Sequence, residues 1–106
     1  MAKLLTETIE AWISKRPGSP VTLFVTGELE VPTGGWKTKS TAASPQGINP
    51  KIIIVDVEAI RPTGIVNQMI SRVPFRYEES PPKEDYTNAT VRHDGQEHTV
   101  EVVILT

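Results

Sequence analysis

The stretch that decides the fold is residues 86–105, YTNATVRHDGQEHTVEVVIL. Asp94-Gly95 at its centre is a dipeptide that two-residue type I′ turns prefer, because both turn positions need a positive φ. Such a turn sets His93 opposite Gln96 and fixes the register of the two strands beside it. In that register the apolar side chains share one face: Ala89, Val91, Val100, Val102 and Ile104. Turn chemistry and apolar pattern agree, which predicts a β-hairpin here.

The composition indicates that the rest of the chain is β-structure as well. Val, Ile and Thr supply 33 of the 106 residues, whereas Leu and Ala together supply 11. Branching at Cβ restricts rotamers in a helix and suits the pleated surface of a sheet. The nine prolines and seven glycines divide the chain into short segments. This combination predicts an all-β domain of short strands.

Residues 21–31, VTLFVTGELEV, show the clearest alternation outside the hairpin. The odd-numbered positions are apolar except for Gly27, which predicts a half-buried strand with a bulge or a close backbone approach at the glycine. Residues 32–35, PTGG, form a turn signal, and alternation resumes after it. We therefore expect residues 21–41 to form one hairpin.

Three further segments complete the predicted sheet. Residues 4–15 fit either a helical stripe or a strand, and the β-rich context favours a strand. Residues 51–60, KIIIVDVEAI, are nearly continuously apolar at first, which is typical of a central strand. Residues 65–77 carry one or two strands, and Pro74 indicates an edge or a bulge. About seven short strands predict an immunoglobulin-like antiparallel β-sandwich that forms a single domain over residues 1–106.

Several motifs resemble a known family. The run V-x-G-E-x-x-V-P-T-x-G-W spans residues 25–36, and G-I-N-P follows at residues 47–50. V-P-F-R-Y at residues 73–77 and R-H-D-G at residues 92–95 fit the same pattern. Together they resemble a family of small bacterial β-sandwich proteins of uncharacterised function. The resemblance implies a compact immunoglobulin-like fold, and it assigns no activity and no role to any residue.

The residue inventory argues against most catalytic chemistry. Cysteine is absent, which excludes disulfides, a cysteine-ligated zinc site and a cysteine nucleophile. No serine lies in a G-x-S-x-G context, and the two histidines, His93 and His98, both lie near one turn. We expect those two side chains on opposite faces of the hairpin, which argues against a shared metal ion. We expect no cofactor either.

Charge and hydropathy narrow the choice of partners. The 11 Lys and Arg residues and 13 Asp and Glu residues give a net charge of -2. This charge balance does not indicate a basic surface, so we expect no nucleic-acid partner. No apolar run approaches the roughly 20 residues of a membrane-spanning helix, and we expect no membrane partner. The first residues do not resemble a signal peptide, so we expect a cytoplasmic protein.

The remaining candidates for function are surface residues in turns and at strand edges. Trp36 lies beside Lys37 and Lys39, residues 42–50 form an irregular connection, residues 78–85 form a charged, solvated loop, and Pro74 marks an edge. The candidate binding residues are Trp36, Lys37, Lys39, Gln46, Asn49 and Pro74.

These features predict a non-enzymatic protein-interaction module that binds a protein partner or a second copy of itself, for example by strand addition at an edge. One alternative is a domain that binds a small ligand or carbohydrate through Trp36. The other is a small enzyme that uses paired carboxylates such as Glu28 with Glu30 or Asp56 with Glu58.

Overall fold

The computed structural model describes residues 2–106 and contains seven β-strands and no helix within that range. The strands are β1 (Lys3–Ser14), β2 (Thr22–Val31), β3 (Lys37–Ala42), β4 (Ile52–Ile60), β5 (Ser71–Glu79), β6 (Asn88–His93) and β7 (Gln96–Leu105). The all-β prediction is confirmed, and residues 4–15 are a strand, as favoured. Residues 65–77 contain one strand, which begins at Ser71.

All seven strands belong to one sheet in the order β3-β4-β6-β7-β1-β2-β5. The sheet curls until its two end strands approach each other, which makes a nearly closed barrel. Two of the pairings, β1 with β7 and β4 with β6, are parallel. The sheet is therefore mixed rather than purely antiparallel, and an immunoglobulin-like sandwich is not confirmed.

The predicted hairpin over residues 86–105 is confirmed in detail. His93 pairs with Gln96, Val91 with His98 and Ala89 with Val100. Asp94 and Gly95 have φ values of 45° and 79°, as a type I′ turn requires. This hairpin contributes two adjacent strands, β6 and β7, to the middle of the sheet.

The prediction that residues 21–41 form one hairpin was wrong. Strand β2 pairs with β1 and β5, whereas β3 pairs with β4. Both edges of β2 are occupied, so β3 cannot fold back on it. The backbone N–H of Gly34 donates to Asn67 O at 2.9 Å, and this bond ties the connection to the loop before β5. The chain thus crosses to another part of the sheet after Val31 instead of reversing.

The core lies inside the barrel and follows the alternation seen in the sequence. Leu23, Val25, Leu29 and Val31 of β2 are all buried. They pack with side chains of the other strands, chiefly Leu4, Ile9, Ala11, Ile13, Ile53, Val55, Val57, Phe75, Tyr86, Ala89 and Val91. Strand β4 lies between β3 and β6, which confirms the prediction of a central strand.

The pairing of β1 with β2 is interrupted opposite Gly27. Leu5 pairs with Glu28 and Glu10 pairs with Thr26, so four residues of β1 face the single residue Gly27. The Thr8 hydroxyl spans this bulge: it donates to Leu5 O at 2.7 Å and accepts from the Glu28 N–H at 2.9 Å. A side chain thus replaces a missing ladder bond.

Gly27 also allows a close approach, made by a side-chain ring and not by the backbone as the sequence predicted. The ring of Phe75 on β5 lies directly over the glycine: a Cβ placed there would be 2.5 Å from Phe75 Cζ and 3.2 Å from Ile9 Cγ1. Phe75 is buried in the core. The absence of a side chain at Gly27 therefore makes room for this ring.

Candidate functional site

The Pro74 edge predicted from the sequence faces the other end of the sheet. Strand β5 is an end strand, which confirms the edge prediction, but β3 lies against it. The hydroxyl of Thr38 on β3 donates to Pro74 O at 2.8 Å. Neighbouring strands lie about 4.8 Å apart, so another strand would need roughly twice that separation. There is no room for one at Pro74.

Lys37 and Lys39 flank this contact on the outer surface of β3. Both side chains are exposed, and Thr38 between them is half-buried, as the predicted alternation requires. Because Thr38 contacts Pro74, the structure brings Lys37, Lys39 and Pro74 to the same seam between β3 and β5.

Gln46 and Asn49 lie apart from that seam, in the loop that joins β3 to β4. The Gln46 amide donates to Ala43 O and Ile54 O at 2.8 and 2.9 Å, and its carbonyl accepts from the Ile54 N–H at 2.8 Å. Asn49 Oδ1 accepts from the Lys51 N–H at 3.0 Å. These amides hold the loop in shape and pair with its own backbone.

Trp36 lines a pocket of about 390 Å³ at one end of the barrel. Its indole N–H donates to Thr33 Oγ1 at 3.0 Å, and the Arg61 guanidinium lies 6.0 Å from the ring centroid. The acidic residues Glu58 and Asp94 also line this pocket. An aromatic ring, a cationic side chain and two acidic side chains therefore line the same pocket.

The expectation that His93 and His98 face opposite sides was wrong. Cross-strand partners share a face, and the pairs His93–Gln96 and Val91–His98 are consecutive on that same face. The two histidines nevertheless differ in environment. His93 is buried, and its Nδ1 donates to Val57 O at 2.9 Å because a carbonyl can only accept; His98 is exposed. Among residues 2–106, no three His, Asp or Glu side chains are grouped so that they could hold a metal ion.

Glu79 is a buried carboxylate at the end of β5, which corrects the prediction that it belongs to a solvated loop over residues 78–85. It accepts hydrogen bonds from Tyr77 OH at 2.7 Å, Tyr86 OH at 2.7 Å and the Lys83 N–H at 2.8 Å. Its burial could have been predicted from the sequence, because residues 75 and 79 are both odd-numbered and therefore lie on the same face of one strand. The cluster fixes the loop between β5 and β6.

Hydrogen bonding determines the charge state of this cluster. Burial alone would raise the pKa of Glu79, but the bonds from Lys83, Tyr86 and Tyr77, with the Lys83 charge, outweigh it and lower the pKa below 4.5. Burial, the bond to Glu79 and its negative charge raise the pKa of both tyrosines well above 10. The carboxylate is ionised and both hydroxyls remain donors over the physiological range.

The ladder between β1 and β7 covers only part of the two strands. These strands pair only from Ala11–Ser14 to Val102–Leu105, so residues 3–10 of β1 and 96–101 of β7 have no ladder between them. At the far end, the Gln96 side chain accepts from the Leu4 N–H at 3.0 Å. We call the stretch without a ladder between these two ends the β1–β7 cleft.

The backbone of β7 is free along this cleft. The Val102 N–H donates to Thr87 O at 2.9 Å, and the hairpin turn pairs Gln96 with His93. Even-numbered residues of β7 therefore direct their backbone N–H and C=O groups toward β6. The backbone N–H and C=O groups of odd-numbered residues point the other way, into the cleft. Glu97 and Thr99 therefore present an N–H and a C=O each, with no ladder partner on that side.

The cleft continues into a groove of about 480 Å³ where β1 and β7 diverge. Its lining is mainly apolar, with acidic residues at two positions: Ile9, Glu10, Ala11, Trp12, Val100, Glu101, Val103 and Leu105. The ring of Trp12 stacks on Phe24 with centroids 5.2 Å apart, which holds the indole in place on the outer surface. A free strand edge thus adjoins an apolar groove.

This chain is an all-β domain whose sheet is nearly closed into a barrel: β3 and β5 are in contact at its two ends without a ladder, and the ladder between β1 and β7 is limited to residues 11–14 and 102–105. Comparisons with protein-family models, with curated proteins and with solved structures found no match to it. Within residues 2–106 there is no helix of the length and apolarity needed to cross a membrane.

Proposed function

We propose that this chain is a non-enzymatic protein-interaction domain that binds an extended segment of a partner protein by strand addition to β7. The observation that supports the proposal most directly is the free edge at Glu97 and Thr99. Four backbone groups on this edge face the cleft, and an extended segment paired with β7 satisfies them. The exposed position of Glu97, His98 and Thr99 gives a partner access.

The arrangement of the strands also supports this mode of binding. If β3, β4 and β6 are described as one layer and β1, β2 and β5 as another, β7 joins the two layers at one corner. This sandwich-like description is the finer fold assignment that we propose. An added strand lies beside β7 and opposite residues 3–10 of β1. By the same spacing argument that excludes a strand at Pro74, its entry requires the first half of β1 to move away from β7 and the bond between Leu4 N–H and the Gln96 side chain to break.

Proline at position 99 tests strand addition directly. The Thr99 N–H faces the cleft and not β6, so Thr99→Pro removes a donor from the free edge and keeps the β6–β7 ladder. Pro74 in β5 is a precedent within this chain for a proline in an end strand. A net hydrogen bond contributes about 1 kcal/mol, and the ring also obstructs a paired strand, so we expect peptide binding to weaken about tenfold or more.

The measurement uses seven-residue peptides selected from a displayed random library on the wild-type protein, with affinities determined by calorimetry. The matched control is Thr99→Val, which keeps the N–H and removes only the hydroxyl that contacts Thr90 Oγ1 at 2.7 Å. If Thr99→Pro does not fold, Glu97→Pro removes the neighbouring edge donor instead. Peptides that bind Thr99→Pro and wild type equally would exclude strand addition.

A second candidate function is the binding of a sugar ring in the Trp36 pocket. The combination of an indole face with Glu58, Arg61 and Asp94 around about 390 Å³ favours it, because sugars stack on aromatic rings and bond to charged side chains. We expect methyl glycosides at millimolar concentration to shift the NMR signal of the Trp36 indole N–H and leave that of Trp12 unchanged. A panel of glycosides that shifts neither signal, or only Trp12, contradicts this function.

A further inference from the structure

The outer side of the β1–β7 cleft is acidic. Glu97 and Glu101 lie on the same face of β7, since both are odd-numbered, and Glu10 of β1 lines the groove beside Glu101. Arg92 on β6 lies directly opposite Glu97, but its guanidinium is bound to Asp56 through two hydrogen bonds of 2.8 and 3.1 Å. Within residues 2–106 none of the three carboxylates forms an ion pair, and only Glu97 has a cation directly opposite it on β6.

The inner side of the same cleft is apolar. Val100 on β7 lies one residue from Glu101 and points to the other face, and it lines the groove together with Ile9 and Ala11 of β1. Val100 is half-buried, whereas Ile9 and Ala11 belong to the core. An apolar side chain in the groove therefore extends the existing core.

Side chains alternate between the two faces of a strand, so an added strand meets both surfaces at once. If the proposed strand addition is correct, we infer that the partner is an extended segment that alternates Lys or Arg with apolar residues. Two cations four residues apart face Glu97 and Glu101, and the residues between them on the other face pack on Val100 and Ile9.

The same charges argue against a second copy of this chain as the occupant. A two-fold antiparallel pairing of two β7 edges centred on Thr99 places Glu97 of each copy opposite Glu101 of the other. Like charges directly opposite each other destabilise a pair of strands. The edge therefore favours a basic partner and disfavours self-association.

Synthetic peptides test the inference without a known partner. Acetyl-LKVTVKL-amide has two lysines four residues apart and reads the same in both directions, so its fit does not depend on strand orientation. We expect it to bind at least about tenfold more tightly than acetyl-LEVTVEL-amide, and less tightly as salt is raised. We expect the double variant Glu97→Lys, Glu101→Lys to prefer the acidic peptide. The matched control is the double variant Glu84→Lys, Asp85→Lys, which changes the net charge by the same amount in the loop between β5 and β6.

The outcomes separate the charge preference from strand addition itself. If both peptides bind wild type equally and both lose affinity on Thr99→Pro, strand addition holds and the inferred basic partner is wrong. If the basic peptide binds Thr99→Pro as tightly as wild type, the acidic surface acts alone and strand addition is wrong. If the control Glu84→Lys, Asp85→Lys also reverses the preference, net charge explains the result and the inference fails. Absence of binding by either peptide at millimolar concentration contradicts both.

Discussion

Replacing Glu79 by alanine is expected to lower the free energy of unfolding by about 3 kcal/mol, because buried donors are left without an acceptor. Tyr86, which is 7% exposed, loses the partner of its hydroxyl, and the Lys83 N–H and Tyr77 OH lose theirs. The measurement is urea unfolding at pH 7 followed by circular dichroism, with the slope of the transition checked for constancy. No other buried acidic side chain is present in residues 2–106.

The pH dependence gives this prediction a second readout. The pKa of Glu79 is lower in the folded protein than the 4.5 of an unperturbed glutamate. Between the two values the unfolded chain binds more protons, so stability rises with pH by up to about 1.4 kcal/mol per pH unit for this one group. The contribution is complete above pH 4.5 and is lost as the pH falls through the folded value.

Two variants make the assignment specific. Glu79→Gln removes the titration, and we expect the free energy of unfolding to depend less on pH below 4.5 than in wild type. Glu78→Gln is the matched control, because Glu78 is exposed and pairs with Arg76 at 2.9 Å on the surface; we expect less than about 0.5 kcal/mol of change. A Glu78 variant as unstable as Glu79→Ala would show that the cluster around Glu79 is not the cause.

Features that depend on residues close together in the chain could be predicted from the sequence. The Asp94-Gly95 turn fixed the register of β6 and β7, and the parity of residues 21–31 identified the buried face of β2. The same parity on β5 leads from Phe75 to Glu79, so a carboxylate on an apolar face was a usable signal. Local chemistry determines such features, since turn type and alternation act over a few residues.

Features that depend on the pairing of strands far apart in the chain could not be predicted from the sequence. Residues 32–35 have the composition of a hairpin turn, yet β2 is occupied on both edges and β3 pairs elsewhere. The free edge at Thr99 exists because the ladder between β1 and β7 ends at Ala11, beside the bulge of β1, and the sequence of neither strand alone specifies where that pairing ends. For the same reason the Pro74 edge, which the sequence does mark, is covered by Thr38 of β3.

Replacing Gly27 by alanine is expected to lower the free energy of unfolding by about 2 kcal/mol, because overpacking a filled core typically costs 1–3 kcal/mol. The new Cβ would lie 2.5 Å from Phe75 Cζ and 2.8 Å from Phe75 Cε2, closer than non-bonded carbons approach. Phe75 is 2% exposed, so its ring has little space into which to move. The decrease is measured by urea unfolding and compared with that of a glycine that has room.

Gly34 provides that comparison, because a Cβ there would meet Asn67 Cβ at an ordinary 3.5 Å and no positive φ is involved. We expect Gly34→Ala to change the free energy of unfolding by less than about 0.5 kcal/mol. In the double variant Gly27→Ala, Phe75→Leu the clashing ring atoms are gone, so its loss of stability should be smaller than the sum of the two single losses. Strict additivity would mean that Gly27 and Phe75 do not compete for the same space. The close approach would then not be the reason that β2 carries a glycine opposite the bulge of β1.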